Sequence, residues 1–182
     1  TMDALAGLVR GGKALYVGIS NYPAEQAARA IDILQQMGVR CLIHQPRYNL
    51  LDRWVEDGLQ DVLESRGVGS IAFSPLAQGL LAGRYAHGIP AGSRADRAGE
   101  GFRSRQLTDD RMAKAAKLAE IAAERGQTLA QMALAWILRG GRVTSVLVGA
   151  SRVSQLEENV RALEHMDFTD DELRRIDTIT GR

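Results

Sequence analysis

Gly149-Ala150-Ser151-Arg152 is the stretch in which residue type and spacing point most directly to chemistry. Three small residues let backbone N–H groups come close to something bulky, and an arginine follows at once. Ser154 and Glu157 are then spaced as a capping box, opening a helix with Leu156, Val160 and Leu163 on one face. A small-residue turn at the positive end of a helix, beside a guanidinium, is a place for a phosphate. Taken by itself the stretch reads more economically as a tight βα turn with a solvated arginine. The run before it, 143–148, is apolar and β-branched, which predicts a strand buried on both faces.

Elements must hold such a turn in place, and the rest of the chain supplies three more units of the same kind. Residues 1–13 read as the tail of a helix, with Met2, Leu5, Leu8 and Val9 at helical spacing and Gly11-Gly12 ending it. A chain that opens inside a helix need not open at a domain boundary, and is expected to be the retained part of something longer. Residues 14–19 are predicted as a strand that includes Tyr16, followed by Ser20-Asn21. Pro23 starts a helix with Ala27, Ile31 and Leu34 as its core stripe. A strand over 40–44 ends at Gln45, a loop covers 46–51, and one helix is predicted over 53–66 with Val55, Leu59, Val62 and Leu63 inside. A third strand over 68–73 ends in Ser74-Pro75.

The polar, Gly- and Arg-rich segment 76–107 is long for a compact domain and reads as a binding loop, a lid or disorder. Thr108 caps a helix carrying Ala115, Leu118, Ile121 and Ala122. Thr128 and Gln131 box the start of another, whose buried stripe is Leu129, Met132, Ala133, Trp136 and Ile137. Phe168 and Thr169-Asp170-Asp171-Glu172-Leu173 combine a capping box with a hydrophobic staple, starting a last helix through Ile176.

Four apolar strands separated by helices predict an α/β fold with a parallel sheet and right-handed crossovers. Ser20-Asn21, Gln45, Ser74 and Gly149-Ala150-Ser151 each follow the last residues of a strand, and parallel α/β folds place their sites at the carboxyl ends of strands. Any one of these is a turn residue first; as a set at one end of four consecutive strands they predict a ligand site.

Composition narrows the partners. With 182 residues, 45% of them apolar, 25% charged and a net charge of +1, the chain gives no electrostatic case for nucleic acid or a membrane surface. It holds no apolar run of bilayer length and no leading signal peptide, so the cytoplasm is the expected compartment. Cys41, the single cysteine, sits in an apolar run and reads as a buried small hydrophobe. His44, His87 and His165 lack metal-ligand spacing, so no metal is expected.

Four motifs in register resemble the aldo-keto reductases: Tyr16-Val17-Gly18-Ile19-Ser20-Asn21-Tyr22; His44-Gln45-Pro46 with Tyr48-Asn49-Leu50-Leu51; Phe73-Ser74-Pro75-Leu76-Ala77-Gln78-Gly79-Leu80-Leu81; and Val148-Gly149-Ala150-Ser151 with Gln155 and Glu158-Asn159. The resemblance covers nearly the whole chain and is closest to the branch that joins bacterial reductases of glyceraldehyde 3-phosphate to the potassium-channel β-subunits. It implies a (β/α)8 TIM barrel, a fold of roughly 250 residues or more, of which this chain would be the C-terminal half, strands five to eight. It also implies NADPH as cofactor. Ser20, Asn21 and Gln45 would hold the nicotinamide carboxamide, and Phe73 would stack on the ring. Ser74, Leu76, Gln78 and Gly79 would line the pyrophosphate, with Arg84 closing over it. Gly149, Ser151, Arg152, Gln155, Glu158 and Asn159 would take the 2′-phosphate and adenine. Arg152 favours NADPH over NADH because a guanidinium pairs with a phosphate dianion, although Arg94 or Arg103 could serve the same phosphate.

The family's catalytic tyrosine, lysine, histidine and aspartate lie on the first four strands, so the resemblance implies no catalytic residue in this chain. Tyr16, Tyr22, Tyr48 and Tyr85 do not match the catalytic motif, and His44 is read as structural. The implied activity is NADPH-dependent reduction of small aldehydes or ketones, with this chain supplying the cofactor-binding half and inactive alone. The alternative is a non-catalytic NADP(H)-binding regulatory module like the channel β-subunits. Unpaired strand edges predict self-association, or pairing with an N-terminal half.

Overall fold

The computed structural model describes the chain except for residues 86, 87, 90, 92, 93 and 98 and the side chains of 94 and 102–104. The readings that rest on His87 and on the Arg94 and Arg103 side chains lie outside the described residues.

Strands β1 (Val17–Ser20), β2 (Cys41–Gln45), β3 (Gly69–Ala72) and β4 (Ser145–Val146) form one parallel sheet in the order β1-β2-β3-β4. Helices α1 (Met2–Arg10), α2 (Ala24–Gln36) and α3 (Leu59–Ser65) alternate with the first three strands. Then come α4 (Arg94–Arg97), α5 (Glu100–Gln106), α6 (Asp109–Glu124), α7 (Leu129–Leu138), α8 (Val153–Val160) and α9 (Asp170–Thr180). This is the parallel α/β arrangement that the alternation of patterns requires, because parallel neighbours need a crossover between them.

The core gathers on α7. Eight of its residues are buried, on every side of the helix, as expected of a helix inside a domain rather than on its surface. Trp136 is fully buried, with the Tyr48 ring 5.4 Å away and the guanidinium groups of Arg53 and Arg139 at 4.8 and 3.8 Å from its own ring. Burial, opposed by the Arg139 charge and reinforced by Glu56, pushes the Tyr48 phenol up to about 12; it stays neutral and donates to Glu56 Oε1 at 2.8 Å. The predicted caps form at Thr108, Thr128 and Thr169, each satisfying an N–H that a helix start leaves orphaned, worth about 1 kcal/mol. Arg125, at the end of α6, fastens α9 by an ion pair to Glu172 at 2.7 Å while lying 3.9 Å over the Phe168 ring. Cys41 is buried as expected.

Several sequence expectations are corrected. The strands are not buried on both faces: Val17 and Ile19 of β1 and Ser70 and Ala72 of β3 are buried, while Gly18 and Ser20 are exposed and Gly69 and Ile71 half-buried. Alternate residues point to opposite faces, and among the described residues only one face is packed by helices. The run 143–148 contributes just Ser145–Val146 as strand, neither residue buried. Tyr16 stands before β1 rather than in it, because pairing begins at Val17 opposite Cys41. The single helix over 53–66 is instead a 3₁₀ turn, Trp54–Glu56, and α3, separated where Gly58 adopts a φ of 87°, a left-handed conformation that interrupts a helix and suits glycine. The segment 76–107 is not all loop, since it holds a 3₁₀ stretch, Ala77–Ala82, and helices α4 and α5. No Ser154–Glu157 capping box forms: Arg152 is the extended residue before α8 and Ser154 lies within the helix, whereas a capping side chain acts from the non-helical position. Leu156, Val160 and Leu163, read as one face, all border one apolar groove and are exposed.

Candidate functional site

The candidate residues fall into three groups at the strand ends. In the first, Ser20 Oγ donates to the Gln45 carbonyl at 2.7 Å, and the Asn21 N–H reaches the same oxygen at 3.3 Å. Asn21 has a φ of 56°, a left-handed conformation that asparagine tolerates better than most residues. Its Oδ1 accepts the Arg47 N–H at 2.9 Å, so its amide NH2 faces away from that bond. Ser20 and Asn21 are exposed and Gln45 half-buried.

His44, beside them on β2, is fully buried; its Nε2 lies 3.2 Å from the Tyr22 nitrogen and 3.1 Å from the Tyr22 carbonyl oxygen. Burial holds its pKa below the ordinary histidine value against the raising effect of the Tyr22 bond. Its ring nitrogen Nε2 contacts backbone, and Nδ1 is buried without a partner among the described residues.

The second group lines a cavity of about 260 Å3 between the ends of β3 and β4. Ser74, Leu76, Gln78, Gly79, Arg84 and Gly149 all border it, so six residues picked from separate stretches meet. Pro75, Ala82, Leu147 and Val148 complete the lining and were not singled out. Leu147 and Val148 precede Gly149 directly, which was the available signal. None of the ten lining residues is acidic and one is an arginine, an environment that suits an anion. Gln78 Nε2 lies 3.0 Å from Ser74 Oγ, and Gln78 Oε1 is buried with no partner. A half-turn of the amide lets Ser74 Oγ donate to Oε1 and puts the NH2 where the unpartnered, buried oxygen now lies. Ser74 and Gln78 hold left-handed φ values of 53° and 61°, uncommon for such residues and most often found at functional sites.

The third group starts α8. Gln155 Oε1 accepts from Ser151 N at 2.9 Å and from Ser151 Oγ at 3.2 Å. Arg152 is exposed at the N-cap position. The Glu158 carbonyl accepts from Gln131 Nε2 at 3.3 Å, and Asn159 borders an apolar groove of about 530 Å3 beside α7 and β4 rather than the cavity. Phe73 is half-buried and does not border the cavity; its backbone is tied to the β2 loop by Phe73 N–H to Pro46 O at 2.9 Å and Tyr48 N–H to Phe73 O at 3.3 Å. The three groups are therefore neighbours along one end of the sheet and are not lined by one pocket. Among the described residues there is no cluster of histidine, cysteine or acidic side chains fit for a metal, and no helix is long and apolar enough to cross a membrane.

Residues 1–180 match the model of the aldo/keto reductase family. The chain belongs to that family. Among its relatives, L-glyceraldehyde 3-phosphate reductase of Escherichia coli O157:H7 is 52% identical over 181 residues, covering 97% of this chain and 52% of the relative. A probable voltage-gated potassium channel subunit beta of Oryza sativa subsp. japonica is 38% identical over 168 residues, covering 90% of this chain and 51% of its own length. Protein tas of Escherichia coli (strain K12) is 36% identical over 182 residues, covering 98% of this chain and 51% of the relative. The chain spans about half the length of the curated relatives it matches. Membership of the family and nearness to both a reductase and channel subunits agree with the resemblance read from the four motifs.

Proposed function

We propose that the chain is the cofactor-binding, C-terminal half of an NADPH-dependent aldo/keto reductase acting on small aldehydes or ketones, and that it corresponds to strands five to eight of the barrel. The observation that carries this reading is the acid-free cavity in which Ser74, Gln78, Gly79, Arg84 and Gly149 converge, with the unpartnered Gln78 amide oxygen in the same wall. Bound NADPH would supply the hydride for carbonyl reduction. Ser20, Asn21 and Gln45 present the short donors and acceptors that hold a carboxamide, and Phe73 stacks on the ring. Ser74, Leu76, Gln78 and Gly79 hold the pyrophosphate beneath Arg84. Gly149, Ser151, Arg152, Gln155, Glu158 and Asn159 take the adenosine end, where Arg152 selects the 2′-phosphate.

This division of labour leaves proton donation to residues outside the chain, so the 182-residue polypeptide alone binds cofactor and does not turn over. Among the described residues the outer edges of β1 and β4 are unpaired, and with Leu15 and Tyr16 exposed on one side and Leu156, Val160 and Leu163 on the other this supports pairing with an N-terminal half or with a second copy. Intact mass, light scattering, an NADPH fluorescence titration and aldehyde-dependent NADPH oxidation on one sample test the whole reading. Saturable binding without turnover and an assembly larger than one chain are expected; absence of binding rejects the cofactor assignments, and a monodisperse monomer rejects the pairing. The similarity to channel β-subunits keeps a non-catalytic NADP(H)-binding module as the second reading, favoured if the complete protein binds NADPH yet oxidises it with no carbonyl substrate.

A further inference from the structure

The motif Tyr48-Asn49-Leu50-Leu51 has no role in the cofactor reading, yet it contains the most completely buried amide in the described chain. Asn49 has no accessible surface, and an unsatisfied amide there would cost about 1–3 kcal/mol. It is satisfied on both sides. Asn49 Nδ2 donates to Asp52 Oδ2 and to the Ser74 carbonyl, both at 3.0 Å, and Oδ1 accepts the Leu51 N–H at 2.9 Å. Backbone bonds of 3.2 and 3.0 Å between Asn49 and Asp52 close the turn.

Asp52 extends the connection in two directions. Its carboxylate takes Arg47 Nη2 at 3.0 Å and Arg111 Nη2 at 3.1 Å. Arg47 also donates to Gln106 Oε1 of α5 at 2.9 Å, and its backbone N–H is the one bound to Asn21. Asn21 and Ser74, both in left-handed conformations at the ends of β1 and β3, are thus joined through one turn, which also anchors the far end of 76–107. Arg47 Nε and Arg111 Nε are buried without partners. The three charged side chains are half-buried, so water screens their pairing and it adds little to stability.

We propose that Asn49 and Asp52 are positioning residues that set the placement of Asn21 relative to Ser74, and with it the fit of the nicotinamide and pyrophosphate portions of the cofactor. The inference rests on the cofactor reading above. Burial opposes ionisation of Asp52, but the hydrogen bonds and charges of Arg111 and Arg47 outweigh it and hold the carboxyl below its ordinary value, so the cluster is charged at neutral pH.

The test compares two probes on the full chain, NADPH and adenosine 2′,5′-bisphosphate, by calorimetry. The second probe carries only the adenosine end, which the α8 group would bind without the turn. In Asp52→Asn, NADPH should bind about 10-fold more weakly, the scale of a small misplacement, while the bisphosphate stays within about 2-fold. Arg47→Met, which keeps the N–H to Asn21, should show the same split at about 3-fold and serves if Asp52→Asn does not fold. Unchanged NADPH affinity in the folded variants, or equal weakening of both probes, overturns the proposal. A parent chain that binds neither probe rejects the cofactor reading, and this inference with it.

Discussion

The ends of β1 to β3 and the start of α8 carry the two halves of the candidate site, and they are built differently. At the first, Asn21, Gln45 and Ser74 are tied by hydrogen bonds that cross between strands and reach into the turn of the fully buried Asn49. At the second, the Gln155 side chain bonds to Ser151, four residues away, and Arg152 stands exposed. Groups held by distant partners, here two strand-end carbonyls and the Asn21 side chain, have lost freedom before any ligand arrives, whereas the α8 side chains lose it on binding. The first end is therefore placed to fix geometry and the second to contribute charge and affinity.

The sharpest way to expose this contrast is to remove packing beneath each end. Trp136→Ala empties the space against which Tyr48, Arg53 and Arg139 rest and should cost about 3–5 kcal/mol in urea unfolding. Leu156→Ala, on an exposed face of α8, should cost within about 0.5 kcal/mol. Equal losses would show that the ends do not differ in rigidity. Next in size is Arg152→Ala, expected to weaken NADPH about 10-fold, as loss of a charge-assisted phosphate contact does, and to leave NADH unchanged. An equal effect on both cofactors would remove Arg152 from the 2′-phosphate.

Local patterns are legible in the sequence and long-range ties are not. Buried stripes such as Met132 with Trp136, and caps such as Thr128 with Gln131, are local patterns whose physics is complete within a few residues, and they form as read. The misreadings fall where the deciding partner is far along the chain or not in it. Residues 143–148 have the composition of a buried strand, but what covers a strand face is not written in the strand. Gly58 lies in a helical pattern, and only its φ shows the break. The convergence of Gln78 and Gly149 on one cavity could be expected from their strand ends, while the Asn49–Asp52 turn could not, since nothing in its own residues points to Asn21 or Ser74.

Acid should distinguish the two ends as well. His44 is neutral in the fold, with its pKa depressed below the unfolded value of about 6.5, chiefly by burial. The unfolded chain therefore takes up a proton first as pH falls. Stability is fully present above about pH 6.5 and is lost as pH drops from there through the folded pKa, with a slope of at most about 1.4 kcal/mol per pH unit for one proton. His44→Gln should flatten that slope between about pH 6.5 and 5, measured as urea midpoints. Hydrogen exchange in the same window should rise first at Tyr22 and its neighbours, whose backbone His44 contacts, and not at α8. An unchanged slope in the variant would place the acid sensitivity elsewhere.

The smallest expected effect probes the loose end itself. Gln155→Ala removes the acceptor for the Ser151 N–H at the start of α8, a bond between half-buried and exposed groups whose loss costs a few tenths of 1 kcal/mol, because water replaces it. Global stability should hardly move, yet the turn carrying Gly149 and Ser151 should become more mobile, and adenosine 2′,5′-bisphosphate should bind about 2–3-fold more weakly. A change confined to that probe and NADPH together, with faster exchange at Ser151, is what a locally held, charge-bearing end requires. If affinity instead stays at the parent value while exchange quickens, ordering of this turn is not part of the cost of binding, and the difference in construction between the two ends has no consequence for the ligand.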